Sequence, residues 1–419
     1  MLILAGLNHR TAPLEVRERL SVSDAKLEEA TQSLRSIAGV EGAALLSTCN
    51  RVEAIVSTRD EDAITEIVDW MAARASTVRV ELEKHLYIVR HADVVRHLFR
   101  VASGLDSMIV GEPQIGGQFK KAFHTAQKLG ALDSLLVQLC ENTLRVAKKV
   151  RTETGIGENA VSVPYAAVEL AKKIFGDLRG LHVLLLGTGE IGELTAEHLH
   201  AQEVKQVFVA NRSYERAAEL AERFGGAAVN FDDLDGHLTR CDIVIASTAA
   251  PHFIVEAHHV ARALETRRKR NIFLIDLSVP RNINPAVAEI DGAYLYNIDD
   301  LQQVADANVE KRHARALDAE QIVQREVEAF RKRLVAQDAV PTILELQQRL
   351  DDIRSGELEK CLRKMGPMTA EQRAAVEMFS SQLVNKILHY PILELKEASE
   401  EPQERESLRR TIRKIFGLR

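Results

Sequence analysis

The run Val183-Leu184-Leu185-Leu186-Gly187-Thr188-Gly189-Glu190-Ile191-Gly192 decides how the chain is read. Four consecutive apolar residues suit a strand buried on both faces, as in a parallel sheet. The glycines that follow have Gly-x-Gly-x-x-Gly spacing and open a helical pattern through Leu194 and Leu199. That spacing is weak evidence alone. Between a buried strand and a helix it specifies a tight turn, close approach of backbone N–H groups to a pyrophosphate, and close helix–strand packing. Residues 207–210, 243–246 and 272–275 repeat the apolar strand, and Ala217, Leu220, Ala221 and Phe224 mark an amphipathic helix between two of them. The alternation predicts a doubly wound parallel sheet, a Rossmann-type module, over residues 156–290.

The second strand ends in Asn211-Arg212-Ser213. A carboxylate there would take the ribose 2′-hydroxyl of NAD and repel a 2′-phosphate, whereas arginine and serine donate hydrogen bonds to it. The expected cofactor is therefore NADPH, held by Gly187, Thr188, Gly189, Glu190, Ile191, Gly192, Asn211, Arg212 and Ser213. The alternative for Arg212 is a solvated surface charge. Ser247-Thr248-Ala249 should face the same crevice, because ligands sit at the carboxyl ends of parallel strands.

Residues 1–155 read differently. Strand-like 2–7 is followed by a helical face of Leu27, Ala30, Leu34 and Ile37, with Ser21 or Ser23 as its cap, then by strands at 43–46 and 52–56 and a helix through Ile64, Ile67, Val68 and Met71. This is a small α+β unit of split βαβ type. From 91 to 150 the pattern is helical, interrupted by a glycine-rich stretch at 104–117. The third domain is expected over 291–419, and from about 300 its pattern is almost wholly helical. Seams at Val323, Val327, Phe330 and Leu334, and at Ile343, Leu346, Leu350 and Ile353, suit packing on other helices, within the chain or across a dimer. The fold class is multidomain: α+β, then Rossmann-type α/β, then all-α.

Composition excludes several classes of function. The chain has 419 residues, 46% apolar and 28% charged, with net charge −6. That is enough for ordinary cores and predicts two to four domains. No stretch approaches the ~20 apolar residues of a membrane span, and the first residues lack a signal-peptide pattern, so a cytoplasmic protein is expected. No region is basic enough for a general nucleic-acid binder. Arg267-Arg268-Lys269-Arg270 reads as a solvated loop. Lys120, Lys121, Lys148, Lys149 and the C-terminal helices are better candidates for contacts with RNA.

Four cysteines, Cys49, Cys140, Cys241 and Cys361, stand far apart without Cys-x-x-Cys, which argues against zinc or a disulfide framework. Cys140 sits among apolar residues and reads as core, Cys241 precedes a buried strand, and Cys361 lies on a helix seam. Cys49, in Ser47-Thr48-Cys49-Asn50-Arg51 between two strands, reads as exposed, with Arg51 able to stabilise its thiolate. A thiol beside a reduced nicotinamide suggests attack on an activated acyl group, a thioester, and reduction of that thioester to an aldehyde.

These residues carry a resemblance. Gly6-Leu7-Asn8-His9-Arg10-Thr11-Ala12-Pro13, Ser47-Thr48-Cys49-Asn50-Arg51-Val52-Glu53 and Gly104-Leu105-Asp106-Ser107-Met108-Ile109-Val110-Gly111-Glu112-Pro113-Gln114-Ile115 are similar, in order, to the glutamyl-tRNA reductase family. The glycine loop, Asn211-Arg212 and Asp276-Leu277-Ser278-Val279-Pro280-Arg281 continue the match to about residue 300. The resemblance implies NADPH-dependent reduction of glutamyl-tRNA to glutamate-1-semialdehyde, the first step of tetrapyrrole synthesis by the five-carbon route. It implies Cys49 as nucleophile, an activity-linked His97, and Thr48, Asn50, Arg51, Ser107, Glu112, Pro113, Gln114 and Gln118 around the glutamyl group. It also implies a V-shaped homodimer joined through C-terminal helices, a long spinal helix, and no metal.

On their own chemistry, Arg51 could pair with the glutamyl carboxylate and Glu112 with its ammonium, or each could serve a structural ion pair. His97 could orient the ester, shuttle a proton, or be structural, and His9 reads as structural. Thiol and nicotinamide fall in different modules, so the modules must move, with hinges expected near 150–160 and 285–300. Direct transfer of the reactive aldehyde to the aminomutase that follows is plausible chemistry. The rival readings are a dehydrogenase of a hydroxylated ring acid, similar to shikimate dehydrogenase, which leaves Cys49 idle, and a nucleotide-sensing dimer without catalysis.

Overall fold

The first strand, β1 (Leu2–Asn8), is buried along its whole length because it runs through the centre of an antiparallel sheet. The structure, a computed structural model, describes residues 1–157, 162–267, 270–301, 309–396 and 402–418. After β1 come α1 (Leu14–Leu20), α2 (Leu27–Arg35), the hairpin β2 (Val40–Ser47) and β3 (Arg51–Thr58), α3 (Ala63–Arg74), α4 (Arg79–Glu83) and β4 (Tyr87–Arg90). The strand order β2-β3-β1-β4, with β1 antiparallel to both neighbours, agrees with the split βαβ expectation. Ile3, Ala5, Leu7, Leu45, Val52 and Val56 alternate onto one face and bury Leu34, Ile67 and Met71. Helix α1 was not legible: seven residues are too few to show a period.

Three helices follow, α5 (Ala92–Ala102), α6 (Gln114–Lys128) and α7 (Ser134–Thr154). The break at 103–113 is the glycine-rich stretch. Asp133 caps α7 by accepting the Leu136 N–H at 2.9 Å.

The second module begins with α8 (Val163–Phe175), capped by Ser162. Then β5 (His182–Leu186), α9 (Glu190–Ala201), β6 (Gln206–Ala210), α10 (Tyr214–Arg223), β7 (Ala227–Val229), α11 (Leu234–Arg240), β8 (Ile243–Ala246), α12 (Ala257–Thr266), β9 (Ile272–Asp276) and β10 (Ala293–Asn297) alternate. The sheet order β10-β9-β8-β5-β6-β7, parallel throughout, is the doubly wound order, with its switch point between β5 and β8. Val183 and Leu185 enter one core and Leu184 and Leu186 the other, as expected of a strand covered on both faces.

Sequence reading missed β7 and β10. The first is three residues long, and the second, Ala-Tyr-Leu-Tyr-Asn, lies at a sheet edge and is mostly half-exposed, so neither shows an apolar run. Because β10 pairs in register with β9, the sheet runs past residue 290. It also makes 293–297 part of a rigid sheet, unsuited to the hinge expected at 285–300. Of the other expected hinge, residues 158–160 lie outside the described residues.

Arg267 overturns the expectation of a solvated basic run. It is buried, donating to the carbonyls of Thr239 (3.1 Å) and Cys241 and to Asp242 (3.2 Å), so it ties α12 to the start of β8. Arg268 and Lys269 lie outside the described residues.

The chain divides into two compact units, Met1–Gln324 and Arg325–Arg419. Helix α13 (Val309–Met365), 57 residues with Pro341 inside, runs through the division. Pro341 lacks the N–H for its helical bond, a local cause of bending. In the second unit α14 (Ala370–Lys396) and α15 (Pro402–Phe416) follow, with a small core of Ala339, Ile343, Leu346, Leu388, Leu395 and Ile412. Ile353, expected on a seam, is exposed, and so is Cys361. Among the described residues no helix is long and apolar enough to cross a membrane.

Candidate active site

The turn between β2 and β3 is built by one hydroxyl. Thr48 Oγ1 accepts the N–H groups of Asn50 (3.2 Å) and Arg51 (3.1 Å), and the Thr48 N–H donates to the Arg51 carbonyl at 2.9 Å. Cys49 projects from this turn, but it is half-buried, not exposed. It packs on an apolar cluster that contains Leu14, Met108 and Ile109 from the first module and Ile275 and Leu277, with Val279 at its rim, from the second. Burial, reinforced by the negative charge of Glu112, pushes the thiol up to about 12. The cation that opposes this is Arg17, not the expected Arg51. Arg17 is buried and donates from Nη1 to the Cys49 carbonyl at 2.7 Å.

Arg51 is committed elsewhere. Its Nη1 donates to Glu53 Oε1 (2.6 Å) and its Nη2 to Asp106 Oδ2 (2.8 Å). Glu53 Oε1 also accepts from Tyr87 Oη (2.6 Å) and bonds His97 Nε2 (2.8 Å). Burial alone would raise the Glu53 pKa. The His97 and Arg51 charges, with hydrogen bonds from His97 and Tyr87, outweigh it and hold the carboxyl well below the usual range. An ionised Glu53 only accepts, so a proton sits on His97 Nε2, and the ring is held with Nδ1 as its other nitrogen. Sequence reasoning gave no role to Glu53, Tyr87, Asp106 or Arg17. An Arg-x-Glu pair on one face of β3 was the signal available for Glu53, whereas Arg17 left none.

Several buried polar atoms around this network have no partner among the described residues: both ring nitrogens of His9, Asn50 Oδ1, Glu53 Oε2, Ser103 Oγ and Gln114 Nε2. A buried orphan is unfavourable by roughly 1–3 kcal/mol, so a cluster of them is expected to face a polar ligand or water. His9 reaches the site through its backbone, whose N–H donates to the Asn50 carbonyl at 2.9 Å. Burial, and then Arg10, Arg51 and Arg17, lower its imidazole to about 4, so it is neutral at physiological pH. Glu112 is buried without a hydrogen-bond or ion-pair partner among the described residues. Burial raises its carboxyl to about 7, with Arg51 opposing and Glu190 reinforcing. Ser107 is buried, Pro113 precedes α6, and Gln114 and Gln118 share one face of α6.

The glycine loop behaves as its spacing predicts. Gly187 has φ +108°, and a Cβ there would lie 2.5 Å from the Ser247 carbonyl oxygen. At Gly192 a Cβ would lie 2.5 Å from the Gly187 carbonyl oxygen. Above Gly189, the cap of α9, there is open space and no side-chain cap, so Thr188, Glu190 and Ile191 border a helix N-terminus whose N–H groups can meet a pyrophosphate. Arg212 is exposed and without a partner among the described residues, which suits a 2′-phosphate. Ser213 departs from expectation: its hydroxyl caps α10, accepting from Arg216 N–H and donating to Glu215 (2.8 Å), while Asn211 Nδ2 donates to the Ser213 carbonyl. Beyond β8 and β9, Asn282 Oδ1 accepts from Thr248 and Ser278, and Asp276 accepts the N–H groups of Ser278, Asn282 and Ile283.

A parallel sheet of this order with an open glycine cradle defines a dinucleotide-binding module of the kind that nicotinamide-dependent oxidoreductases use. Residues 5–154 match the family model for the N-terminal domain of glutamyl-tRNAGlu reductase, and residues 318–418 that family's dimerisation domain. Residues 169–304 match shikimate/quinate 5-dehydrogenase, so the rival reading applies to the cofactor module alone. A glutamyl-tRNA reductase of Solibacter usitatus is 44% identical, covering 100% of this chain and 99% of that one. One of Desulfatibacillum aliphaticivorans is 40% identical, covering 100% and 96%. The solved glutamyl-tRNA reductase of Methanopyrus kandleri is 34% identical, covering 100% and 99%, with a TM-score of 0.51. The chain belongs to the glutamyl-tRNA reductase family.

Proposed function

We propose that this chain reduces the glutamyl ester of tRNA to glutamate-1-semialdehyde with NADPH, releasing tRNA, as the first step of tetrapyrrole (porphyrin and heme) synthesis. The observation that carries the reading is the position of Cys49, a thiol on a polar hairpin against the segment that follows β9 of the dinucleotide sheet.

The Cys49 sulfur attacks the ester carbonyl carbon, the bond to the ribose oxygen breaks, and tRNA leaves with a proton, giving a thioester. The Gly187–Gly192 loop would hold a nicotinamide cofactor, which would supply the hydride that reduces this thioester to a thiohemiacetal. The thiohemiacetal then loses its C–S bond, yielding aldehyde and regenerating the thiol. His97, fixed by Glu53, offers Nδ1 as proton acceptor or donor. Asn50 and Glu112 accept from the glutamyl ammonium, and Gln114, Ser107 and Gln118 donate to its polar groups, with Thr48 shaping the turn and Pro113 starting α6. Arg51 binds the glutamyl carboxylate only by exchanging Asp106 for it, and otherwise stays a structural cation. Gly187 to Gly192 and Arg212 hold the cofactor, with Arg212 selecting NADPH and Asn211 and Ser213 shaping the turn that presents it.

The working modules are residues 1–155, a dinucleotide module in which the expected 156–290 is extended through β10, and the helical remainder to 419, the last supporting a homodimer. A cytoplasmic location and direct transfer of the aldehyde to an aminomutase belong to the same reading. The test is intact-protein mass after mixing with glutamyl-tRNA without cofactor. A glutamyl adduct on Cys49, absent in Cys49→Ser, is expected. Free hydroxy-acid oxidation with no adduct would favour the shikimate-type reading.

A further inference from the structure

We infer that Arg17 is a positioning residue that braces the Cys49 turn only while the dinucleotide module is docked, so that it directs the thioester to reduction rather than to hydrolysis. The inference rests on Cys49 being the nucleophile.

Arg17 sits on α1 with its guanidinium fully buried. Nε donates to the Ala12 carbonyl (3.2 Å), Nη1 to the Cys49 carbonyl (2.7 Å), and Nη2 pairs with Asp299, which follows β10 in the dinucleotide module. One planar cation thus joins the nucleophile's own backbone to the other module. A second pair lies on the same helix: Arg281, after β9, donates from Nε to Glu18 (2.6 Å) and from Nη1 to Glu15 (3.1 Å). Both contacts connect α1 to the carboxyl-end segments of the sheet, where a cofactor sits.

The reaction needs two arrangements of this seam. Acylation requires the tRNA acceptor end at Cys49, which is half-buried between the modules. Reduction requires the nicotinamide there. Separating the modules removes Asp299 from a buried guanidinium, which is strongly unfavourable unless water replaces it. Re-docking restores the counter-charge and fixes the Cys49 carbonyl in the same step. A thioester held in that state meets the hydride. In an undocked state water attacks the thioester carbonyl, the C–S bond breaks, and free glutamate and thiol result, with no cofactor oxidised.

The experiment follows the fate of the adduct in full-length Asp299→Ala, Arg17→Met and the double variant. The expected result is that Asp299→Ala forms the Cys49 adduct from glutamyl-tRNA at the wild-type rate. With NADPH present, its ratio of semialdehyde to free glutamate falls by roughly tenfold or more, the worth of one charged hydrogen bond. The double variant should be no worse than Arg17→Met, because the two residues act as one contact. Glu18→Arg combined with Arg281→Glu should recover the product ratio that either single change lowers. An unchanged ratio in Asp299→Ala overturns the inference. So does a loss of acylation and reduction in equal proportion, which is what simple destabilisation of the first module would produce. An adduct that survives Cys49→Ser would instead sink the nucleophile assignment, so the two failures are distinguishable.

Discussion

Glu112, proposed to hold the glutamyl ammonium, weighs on its own fold. Its folded pKa lies near 7, above its ordinary 4.5, because burial disfavours the charged form. A carboxyl raised in this way is protonated in the fold while already ionised in the unfolded chain, so stability is lost as pH rises from about 4.5 to about 7. The full effect is roughly 3 kcal/mol. Glu112→Gln should therefore be more stable than the parent at pH 8 and equal to it near pH 4, by denaturant titration, while its KM for glutamyl-tRNA rises. Glu53 has the opposite sign. Its depressed pKa gives stability that is present above about pH 4.5 and lost as pH falls. Glu53→Gln removes the charge that Arg51 and His97 share, and should destabilise the chain by about 3–5 kcal/mol at neutral pH. Equal midpoints for parent and variant would contradict the network described above.

At the level of elements, the β5–α9 turn is the most constrained segment. Gly187→Ala would press a methyl group against the Ser247 carbonyl at a backbone angle that L-residues avoid. It should abolish dinucleotide binding by calorimetry, whereas Gly189→Ala, which points into open space, should weaken binding by intruding on the pyrophosphate while leaving the melting temperature unchanged. The β6–α10 turn is where the proposed choice of cofactor is tested. Arg212→Glu should lower affinity for NADPH by roughly tenfold or more and leave NADH nearly unaffected. Ser213→Ala should instead act through α10, whose cap it is, with a stability loss of about 1 kcal/mol. Equal losses for both cofactors in Arg212→Glu would return that arginine to the solvated surface.

On the scale of the whole molecule, the second unit leaves an apolar stripe on α14. Phe379, Leu383, Ile387 and Tyr390 recur at steps of four, four and three, and all are exposed. A stripe of large apolar side chains on a long helix is unfavourable in water and suits a partner helix. Phe379→Asp with Ile387→Asp should halve the molar mass seen by sedimentation at micromolar concentration. A dimer that persists would place the contact on another face.

The sequence by itself determined the elements whose signal is local. Buried strands β5, β6, β8 and β9 carry continuous apolar runs, the glycine loop has the spacing of a tight strand-to-helix turn, and Cys140 is core because its neighbours are apolar. The blocks around Cys49, at 6–13, 47–53 and 104–115, were grouped only by their resemblance to the family. Only the tertiary structure decided which charges meet. Arg51 was legible as a residue near a thiol, yet it is held by Glu53 and Asp106, and the cation beside Cys49 is Arg17, 32 residues away in the chain. Burial of the thiol, the lowered imidazole of His9 and the strut at Arg267 likewise depend on what packs from other elements. Periodicity reports which face of an element is covered, but the partner that covers it, and the field it imposes, exist only once distant segments have been brought together.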